Sequence, residues 1–254
     1  MTRQPAPKRV IVLGALSAMA EATARLYAAD GARLILGGRN VERLQQVGDD
    51  LAARGAAEAR PWPVDFAACA DPAGELERMA AHLEGPVDAI LLFFGVLGDQ
   101  ALAERDPAEA ARIIDVNFTA AVPWCLAAAA LLERQRGGAL VAVTSVAADR
   151  GRQSNYVYGA AKAGLGVLVE GIAHRLARSG AHAVAIKAGF VDTPMTAHLK
   201  RGGPLWAKPA TVARDIRAAA ERPGRPVVYA PWFWRFIMLV VRNVPAFIFH
   251  RTRL

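Results

Sequence analysis

The chain has 254 residues, 54% of them hydrophobic and 21% charged. It has enough apolar surface to bury one large core and too little charge for disorder to dominate. Its two cysteines, Cys69 and Cys125, stand far apart without Cys-x-x-Cys or His-x-x-x-His companions. That pattern excludes a disulfide framework and a zinc-type ligand set, and it fits a reducing cytoplasm. The formal charge of +8 is unevenly spread, because residues 222–254 carry six arginines and no acid.

The first residues, Met1–Lys8, run straight into the apolar strand Arg9–Leu13, with no separate apolar region or cleavage site. No export signal is expected from that pattern. The turn Gly14-Ala15-Leu16-Ser17-Ala18-Met19 then opens an Ala-rich helix over 21–29. A glycine at the strand end permits a tight turn, and small residues beyond it let the backbone approach a pyrophosphate at the positive helix end. Taken alone, the same residues read equally well as a plain tight turn.

The second strand, Arg33–Leu36, ends in Gly37-Gly38-Arg39-Asn40, with Gly38 standing 24 residues after Gly14. An acid at that position would hold a ribose 2′-hydroxyl. Gly38 offers none, and the Arg39 guanidinium presents paired donors to a 2′-phosphate, which favours NADP(H) over NAD(H). The bland reading of Arg39 is a solvated residue before a helix.

Further strands are predicted over Arg60–Pro63, Val87–Leu92, Ala139–Thr144, Ala183–Lys187 and Val227–Ala230, with helices between them. Such alternation predicts one α/β domain, a doubly wound parallel sheet of about seven strands covered by helices, over residues 1–231. The near-continuous apolar run Ala89–Phe94 suits a sheet buried on both faces. Asp71-Pro72, Asp106-Pro107 and Thr193-Pro194 read as helix starts with a capping residue before proline. Long helices are expected over 108–133 and 155–178. No apolar run approaches the roughly 18–20 residues that a spanning helix needs. Five histidines are scattered without a ligand spacing.

Four polar residues, Asn117, Ser145, Tyr158 and Lys162, are separated by 28, 13 and 4 positions. Tyr158 and Lys162 share a helix face. An ordinary phenol has a pKa of about 10, and an adjacent ammonium lowers it toward neutrality. Ser145 follows a strand, which puts its hydroxyl at the carboxyl edge, where open α/β sheets bind ligands. There it would donate to a carbonyl oxygen. A lone Tyr-x-x-x-Lys is usually an ordinary surface pair.

Together with Gly14 and its small followers, this set resembles the short-chain dehydrogenase/reductases over about residues 9–200. The resemblance implies a Rossmann-like NAD(P)-dependent oxidoreductase. Asn117 would hold a water in a proton relay, Ser145 would polarise a carbonyl, Tyr158 would be the general acid in reduction, and Lys162 would hold the nicotinamide ribose. Gly14, Ser17, Met19, Gly38, Arg39, Asn40 and Gly95 would line the cofactor site. Asp65-Phe66 matches the adenine contact, and Val191 and Thr193, within Gly189–Thr193, match the segment that meets the carboxamide. Ala18 and Ala20 depart from the family's second and third glycines, Phe93-Phe94-Gly95 from its Asn-Ala-Gly, and Ala188 from its proline.

Within the family, Phe94–Asp99, Val116–Ala121, Tyr156–Gly159, Met195–Lys200 and the tail from Tyr229 are similar to the decaprenylphosphoryl-2-keto-erythro-pentose reductases. That likeness implies NADPH-dependent reduction of a lipid-linked 2-keto pentofuranose to the arabinose-type epimer. It also implies a flavin-dependent oxidase partner and contact with the inner face of the plasma membrane. A homo-oligomer formed through the long helices is expected from the family.

The tail, residues 232–254, reads independently as an amphipathic segment. Pro231 opens an apolar helix over 232–244 with Arg235 and Arg242 on one side, ended by Pro245, and residues 222–254 hold seven of the chain's 18 aromatic residues. Lying on a membrane and completing an oligomer interface fit it equally. Its aliphatic density speaks against nucleic acid. Reduction of an unrelated alcohol or ketone, and a non-catalytic NADP-binding partner of a membrane oxidase, are the competing readings.

Overall fold

The computed structural model describes residues 6–197 and 202–252. His198, Leu199 and Lys200, which belong to the narrower resemblance, and Arg253 of the tail lie outside the described residues.

The first half alternates β1 (Arg9–Leu13), α1 (Ala18–Ala28), β2 (Arg33–Gly38), α2 (Val41–Ala53), β3 (Glu58–Pro63) and α3 (Pro72–His82). Next come β4 (Ala89–Leu92), the single turn α4 (Gln100–Ala103), α5 (Pro107–Ile114), a π-helical turn over Asp115–Thr119 and α6 (Ala121–Gln135). β5 (Ala139–Ser145) leads through a 3-10 turn, Val146–Asp149, to α7 (Tyr156–Leu176), β6 (His182–Ala188) and β7 (Phe190–Val191). The chain closes with β8 (Trp206–Ala207), α8 (Pro209–Glu221), β9 (Val227–Ala230), α9 (Trp234–Asn243) and α10 (Ala246–Phe249).

Seven strands form one parallel sheet in the order β3-β2-β1-β4-β5-β6-β9. Its strands lack period-2 alternation because helices cover both faces. Val10, Val12, Leu34, Leu36, Leu91 and Ile186 point to the side packed by α1 and α8 through Ala24, Tyr27, Val212 and Ile216. Ile11, Leu13, Ile35, Ile90 and Leu140 point to the opposite side, against Met79 of α3, Trp124 of α6 and Leu165 of α7. Strand order reverses between β1 and β4, which opens a crevice at the carboxyl ends of these strands.

Several boundaries differ from the sequence expectation. Main-chain pairing carries β2 on to Gly38 and β5 on to Ser145, while β4 begins at Ala89 rather than Val87. α1 starts at Ala18, three residues early. The helix expected over 108–133 is broken by the π turn, which inserts an extra residue where Asn117 turns inward. As a helical run, Pro107–Gln135 is long and apolar enough to cross a bilayer by length and composition, contrary to expectation. Its apolar face is the one that carries Trp124, Cys125, Ala128 and Leu132 into the core. Asp71 and Asp106 cap α3 and α5 as expected, accepting from Gly74 N and Ala108 N. Thr193-Pro194 starts only a 3-10 turn, and the β7–β8 pair has no counterpart in the sequence reading.

The tail helix starts at Trp234, with Pro231 in the turn before it, and a second short helix follows Pro245. α9 buries Trp234 and Met238 against Val146. Arg150 fastens its far end by donating to the carbonyls of Val241 (2.5 Å) and Val244 (2.6 Å).

Trp124 is fully buried, donates its Nε1–H to the Phe66 carbonyl at 3.1 Å and meets the Phe66 ring edge-on at 5.3 Å. Trp124→Ala is expected to lower the unfolding free energy by about 3–5 kcal/mol. Urea denaturation checks this, and a loss under about 1 kcal/mol would show that the site collapses onto the hole.

Candidate active site

Parallel strands bring their carboxyl ends to one edge, so residues far apart in the chain meet there. Gly14 follows β1, Gly38-Arg39-Asn40 ends β2, Asp65-Phe66 follows β3, Gly95 follows β4, Ser145 ends β5, and Val191 and Thr193 follow β6. The π turn supplies Asn117, and α7 supplies Tyr158 and Lys162.

Gly14 has a φ of +91°, and a Cβ there would lie 2.6 Å from Phe94 N, so only glycine fits between β1 and the segment after β4. Gly14 N and Ala15 N both donate to Gly37 O, which folds the turn back on β2. α2, α3, α4 and α5 each begin with a side chain capping the free N–H groups. At α1, Ser17 makes no such bond. Like α7, α8 and α9, α1 begins without a side-chain cap, and as it follows β1 at the carboxyl edge its first-turn donors are open to a pyrophosphate. This donor set fits the dinucleotide that the sequence implies. The Met19 side chain is partly buried against the core, and its carbonyl accepts from Thr23 Oγ1 at 2.7 Å.

At the end of β2, Arg39 extends into solvent with its Nη1 3.9 Å from an Asp65 oxygen, and Asp65 also accepts from Ala67 N. An exposed, weakly paired guanidinium at this point can pair with a phosphate. Asn40 does not reach outward, because its Oδ1 caps α2 by accepting from Arg43 N at 2.9 Å. Phe66 turns its ring inward. Its ring is buried, stacked on Phe94 at 4.5 Å, and a Cβ on Gly37 would come within 3.1 Å of it. Phe66 therefore shapes the floor of the crevice, which leaves its main chain and Asp65 to face outward. Phe94, the departure from the family's Asn-Ala-Gly, is the residue that closes this stack.

Asn117, Ser145, Tyr158 and Lys162 converge. Asn117 is fully buried, and both of its amide N–H groups are occupied, donating to Val96 O (2.7 Å) and Ile113 O (2.8 Å), while its oxygen accepts from Val96 N. The side chain therefore fastens the loop after β4 to the π turn, and any water would be held by the distorted main chain. A Cβ on Gly95 would fall 2.6 Å from Asn117 Oδ1 and 3.0 Å from Lys162 Nζ, so Gly95 lets these two groups approach each other. Lys162 Nζ donates to Val143 O at 3.3 Å and lies 6.0 Å from the centre of the Tyr158 ring. Ser145 Oγ accepts from Ala147 N at 3.1 Å, which sets the hydroxyl at the head of the 3-10 turn. Gly159, next to Tyr158, lets α7 pack within 2.8 Å (built Cβ) of the Ala147 carbonyl.

The electrostatics depart from the sequence expectation. Burial pushes the Tyr158 phenol up to about 12, with only the Ser145 hydroxyl opposing it. Burial also pushes Lys162 down to about 8. Desolvation disfavours both charged forms here, and the ammonium is turned to the Val143 carbonyl rather than the phenolic oxygen. Val191 is buried in the β7–β8 pair, and its carbonyl accepts from Thr196 Oγ1 at 2.7 Å. Thr193 N donates to the same Thr196 oxygen at 3.2 Å. Among the described residues, no three His, Cys, Asp or Glu side chains gather into a metal site.

Trp234 is a site residue that the sequence did not single out. Its indole lies over Gly189, where any Cβ would collide with it. The packing of an aromatic tail onto a glycine after β6 leaves no local signal. Only the glycine itself, in a segment already read as cofactor-facing, pointed to a close approach.

The model of the short chain dehydrogenase family matches residues 8–203. An uncharacterized oxidoreductase of Streptomyces coelicolor is 36% identical over 248 residues, covering 96% of each chain. An uncharacterized oxidoreductase of Mycobacterium tuberculosis is 36% identical over 244 residues, covering 95% of this chain and 96% of the relative. Among solved structures, a short-chain type dehydrogenase/reductase from Mycobacterium marinum superposes with a TM-score of 0.76 at 24% identity, covering 84% of this chain and 88% of the other. A short chain dehydrogenase/reductase family protein superposes with a TM-score of 0.76 at 25% identity, covering 90% and 97%.

The depressed Lys162 value makes a pH prediction. Between about pH 8 and 10.5 the unfolded chain holds a proton that the folded chain has released, so stability rises with pH across this window. Lys162→Met should remove this rise, on the order of 3 kcal/mol in full. Urea unfolding at pH 7.5 and pH 10 measures it, and identical slopes for variant and wild type would contradict the buried-ammonium assignment.

Proposed function

The chain belongs to the short-chain dehydrogenase/reductase family of NAD(P)-dependent oxidoreductases, and from that premise we propose that it is an NADPH-dependent ketoreductase. Its substrate on this reading is the 2-keto group of a polyprenylphosphoryl pentofuranose. The observation that carries this reading is the meeting of Ser145, Tyr158 and Lys162 at the carboxyl edge of the sheet, with Lys162 Nζ 6.0 Å from the centre of the Tyr158 ring. The Tyr158 phenol would serve as the proton donor to the alkoxide that develops as the carbonyl is reduced.

NADPH, when bound, supplies a hydride to the keto carbon. Gly14, Ser17 and the uncapped start of α1 would hold its pyrophosphate, and Arg39 its 2′-phosphate. Asp65, the Phe66 main chain and Gly95 would border the adenosine half, Lys162 would reach the nicotinamide ribose, and Val191 and Thr193 would flank the carboxamide. Ser145 orients the substrate carbonyl by donating its hydroxyl, and Tyr158 delivers the proton to the same oxygen. Lys162, held by Val143 O, keeps a positive field near that oxygen whenever it is protonated. Asn117 fixes the π turn, whose main-chain carbonyl would hold a water that relays protons to the site.

The lipid-linked sugar is supported by the tail. Trp232 is exposed just before α9, Phe236, Leu239 and Val240 are exposed along it, and Phe247 is exposed on α10. Arg235 lies in the same stretch, so aromatic and cationic side chains meet at one surface as they do in interfacial segments. Such a surface would set the crevice at the inner face of the plasma membrane. A 2-keto pentose of this kind arises by oxidation at C2, so a separate oxidase, flavin-dependent on the family likeness, would supply it.

Tyr158→Phe should reduce NADPH oxidation with a keto substrate by at least a thousandfold while leaving the dissociation constant for NADPH within about twofold. Retained turnover would refute the role of Tyr158. Arg39→Ala should raise the KM for NADPH roughly tenfold or more and leave that for NADH nearly unchanged, as read in initial-rate assays. Deleting the tail would unroof Val146, so membrane contact is better tested with Trp232→Ser, Phe236→Ser and Leu239→Ser combined. This variant should lose sedimentation with anionic vesicles. Failure of the wild type to sediment, with a dimer that the variant dissociates, would assign the surface to a subunit contact.

A further inference from the structure

A carboxylate four residues after Ser145 gathers donors from two strands that come much later in the chain. The register of the sheet sets Thr144 of β5 beside Lys187 of β6, and Lys187 beside Tyr229 of β9. Lys187 Nζ lies 5.6 Å from the centre of the Tyr229 ring, so the two side chains share a face of the sheet. Both donate to Asp149, Lys187 to one carboxylate oxygen and the Tyr229 hydroxyl to the other, at 2.7 Å. The Asp149 side chain is 1% exposed and that of Lys187 13%. Arg152, on the loop that follows, also lies within the field of this carboxylate. A buried carboxylate needs such partners, and removing one strands its charge.

Asp149 ends the 3-10 turn that Ser145 caps. At the near end, Ser145 is held in β5 opposite Ala188, its Oγ accepts from Ala147 N at 3.1 Å, and its hydroxyl meets the Tyr158 phenol. Between the ends, Val146 packs against Trp234 and Met238 of α9. The Ala147 carbonyl approaches α7 so closely that a Cβ on Gly159, next to Tyr158, would come within 2.8 Å of it. A four-residue 3-10 turn has poor hydrogen-bond geometry and little stability of its own. Its place against α7 is therefore set by what holds its two ends, which are the sheet at Ser145 and the Lys187 and Tyr229 donors at Asp149.

We propose that Lys187 and Tyr229 are positioning residues, which hold Asp149 and through it the turn that sets the Ser145 hydroxyl against Tyr158. This alignment rests on the ketoreductase reading only for the reaction it serves. Without either donor the turn can shift along α7, and a misplacement of about 1 Å at a reacting group costs on the order of a hundredfold in rate. Neither side chain touches the reacting atoms on this assignment. Each acts only through the place it gives Ser145.

Tyr229→Phe, which keeps the ring and removes one donor, is the principal variant, because Lys187→Met strands a buried charge and can unfold the chain. Amide hydrogen exchange of the full chain, followed by NMR, reads the Ala147 N–H that Ser145 Oγ holds. In Tyr229→Phe this exchange should quicken roughly tenfold or more, while the Val141 and Leu165 amides stay within about twofold. A general loss of stability would quicken all three together and count against a local role. The second measurement is single-turnover NADPH oxidation with 2,3-butanedione as the keto probe. Tyr229→Phe should slow it about tenfold with the NADPH dissociation constant within about twofold, and Lys187→Arg should stay faster than Lys187→Met. In a Ser145→Ala background, Tyr229→Phe should have less than about a twofold effect, because the group it positions is gone. An undiminished loss in that background would mark a structural pair and overturn the assignment, as would unchanged exchange at Ala147. Quickened exchange at Ala147 in a protein that reduces no ketone would overturn the ketoreductase reading and leave the fastening of Ser145 standing.

Discussion

A parallel sheet buried on both faces is the constraint on which the rest of this molecule depends. Parallel pairing sends every strand in the same direction, so each returning helix crosses a face and every carboxyl end arrives at one edge. Gly14, Gly38, Gly95 and Ser145 are brought together by that rule before any specific contact is made. The reversal of strand order between β1 and β4 then opens the crevice between the helices that leave in opposite directions. Close packing sets its depth. The Phe66–Phe94 stack and the edge-on Trp124 fill its floor, and Gly14 and Gly95 let backbone and side chains approach where a Cβ would intrude.

Burial also sets the chemistry. In water, an ammonium near a phenol would favour the phenolate. In this interior, desolvation outweighs that attraction, so the phenol is held protonated and the ammonium is partly discharged near neutrality. Lys162 turns to the Val143 carbonyl and sits beside Gly95 and Asn117, which places its positive charge near the crevice rather than on the phenolic oxygen. The π turn serves the same end. It lets Asn117 face inward and satisfy its own amide within the wall, leaving the distorted main chain at the site.

The tail joins the site to the surface. Trp234 and Met238 close over Val146 and Gly189, while Phe236 and Leu239 on the same helix, and Trp232 before it, stay exposed. One helix thus has an inner face that finishes the crevice wall and an outer face with apolar and cationic groups.

The sequence by itself determined the αβ alternation, the seven strands, the capping of α3 and α5, and the spacing of Asn117, Ser145, Tyr158 and Lys162. Each is local, fixed by apolar runs, proline-capped helix starts or a four-residue helical repeat, so each is readable without knowing what packs where. Only the tertiary structure decided that the Phe66 ring forms the floor of the crevice, that Asn40 is committed to a cap, and that Arg152 is buried against Met238. It also decided the direction in which Tyr158 and Lys162 are shifted. These depend on how much solvent is removed and on which distant side chain arrives, as with Trp234 reaching Gly189 across 45 positions, and no pattern along a strand or helix records that.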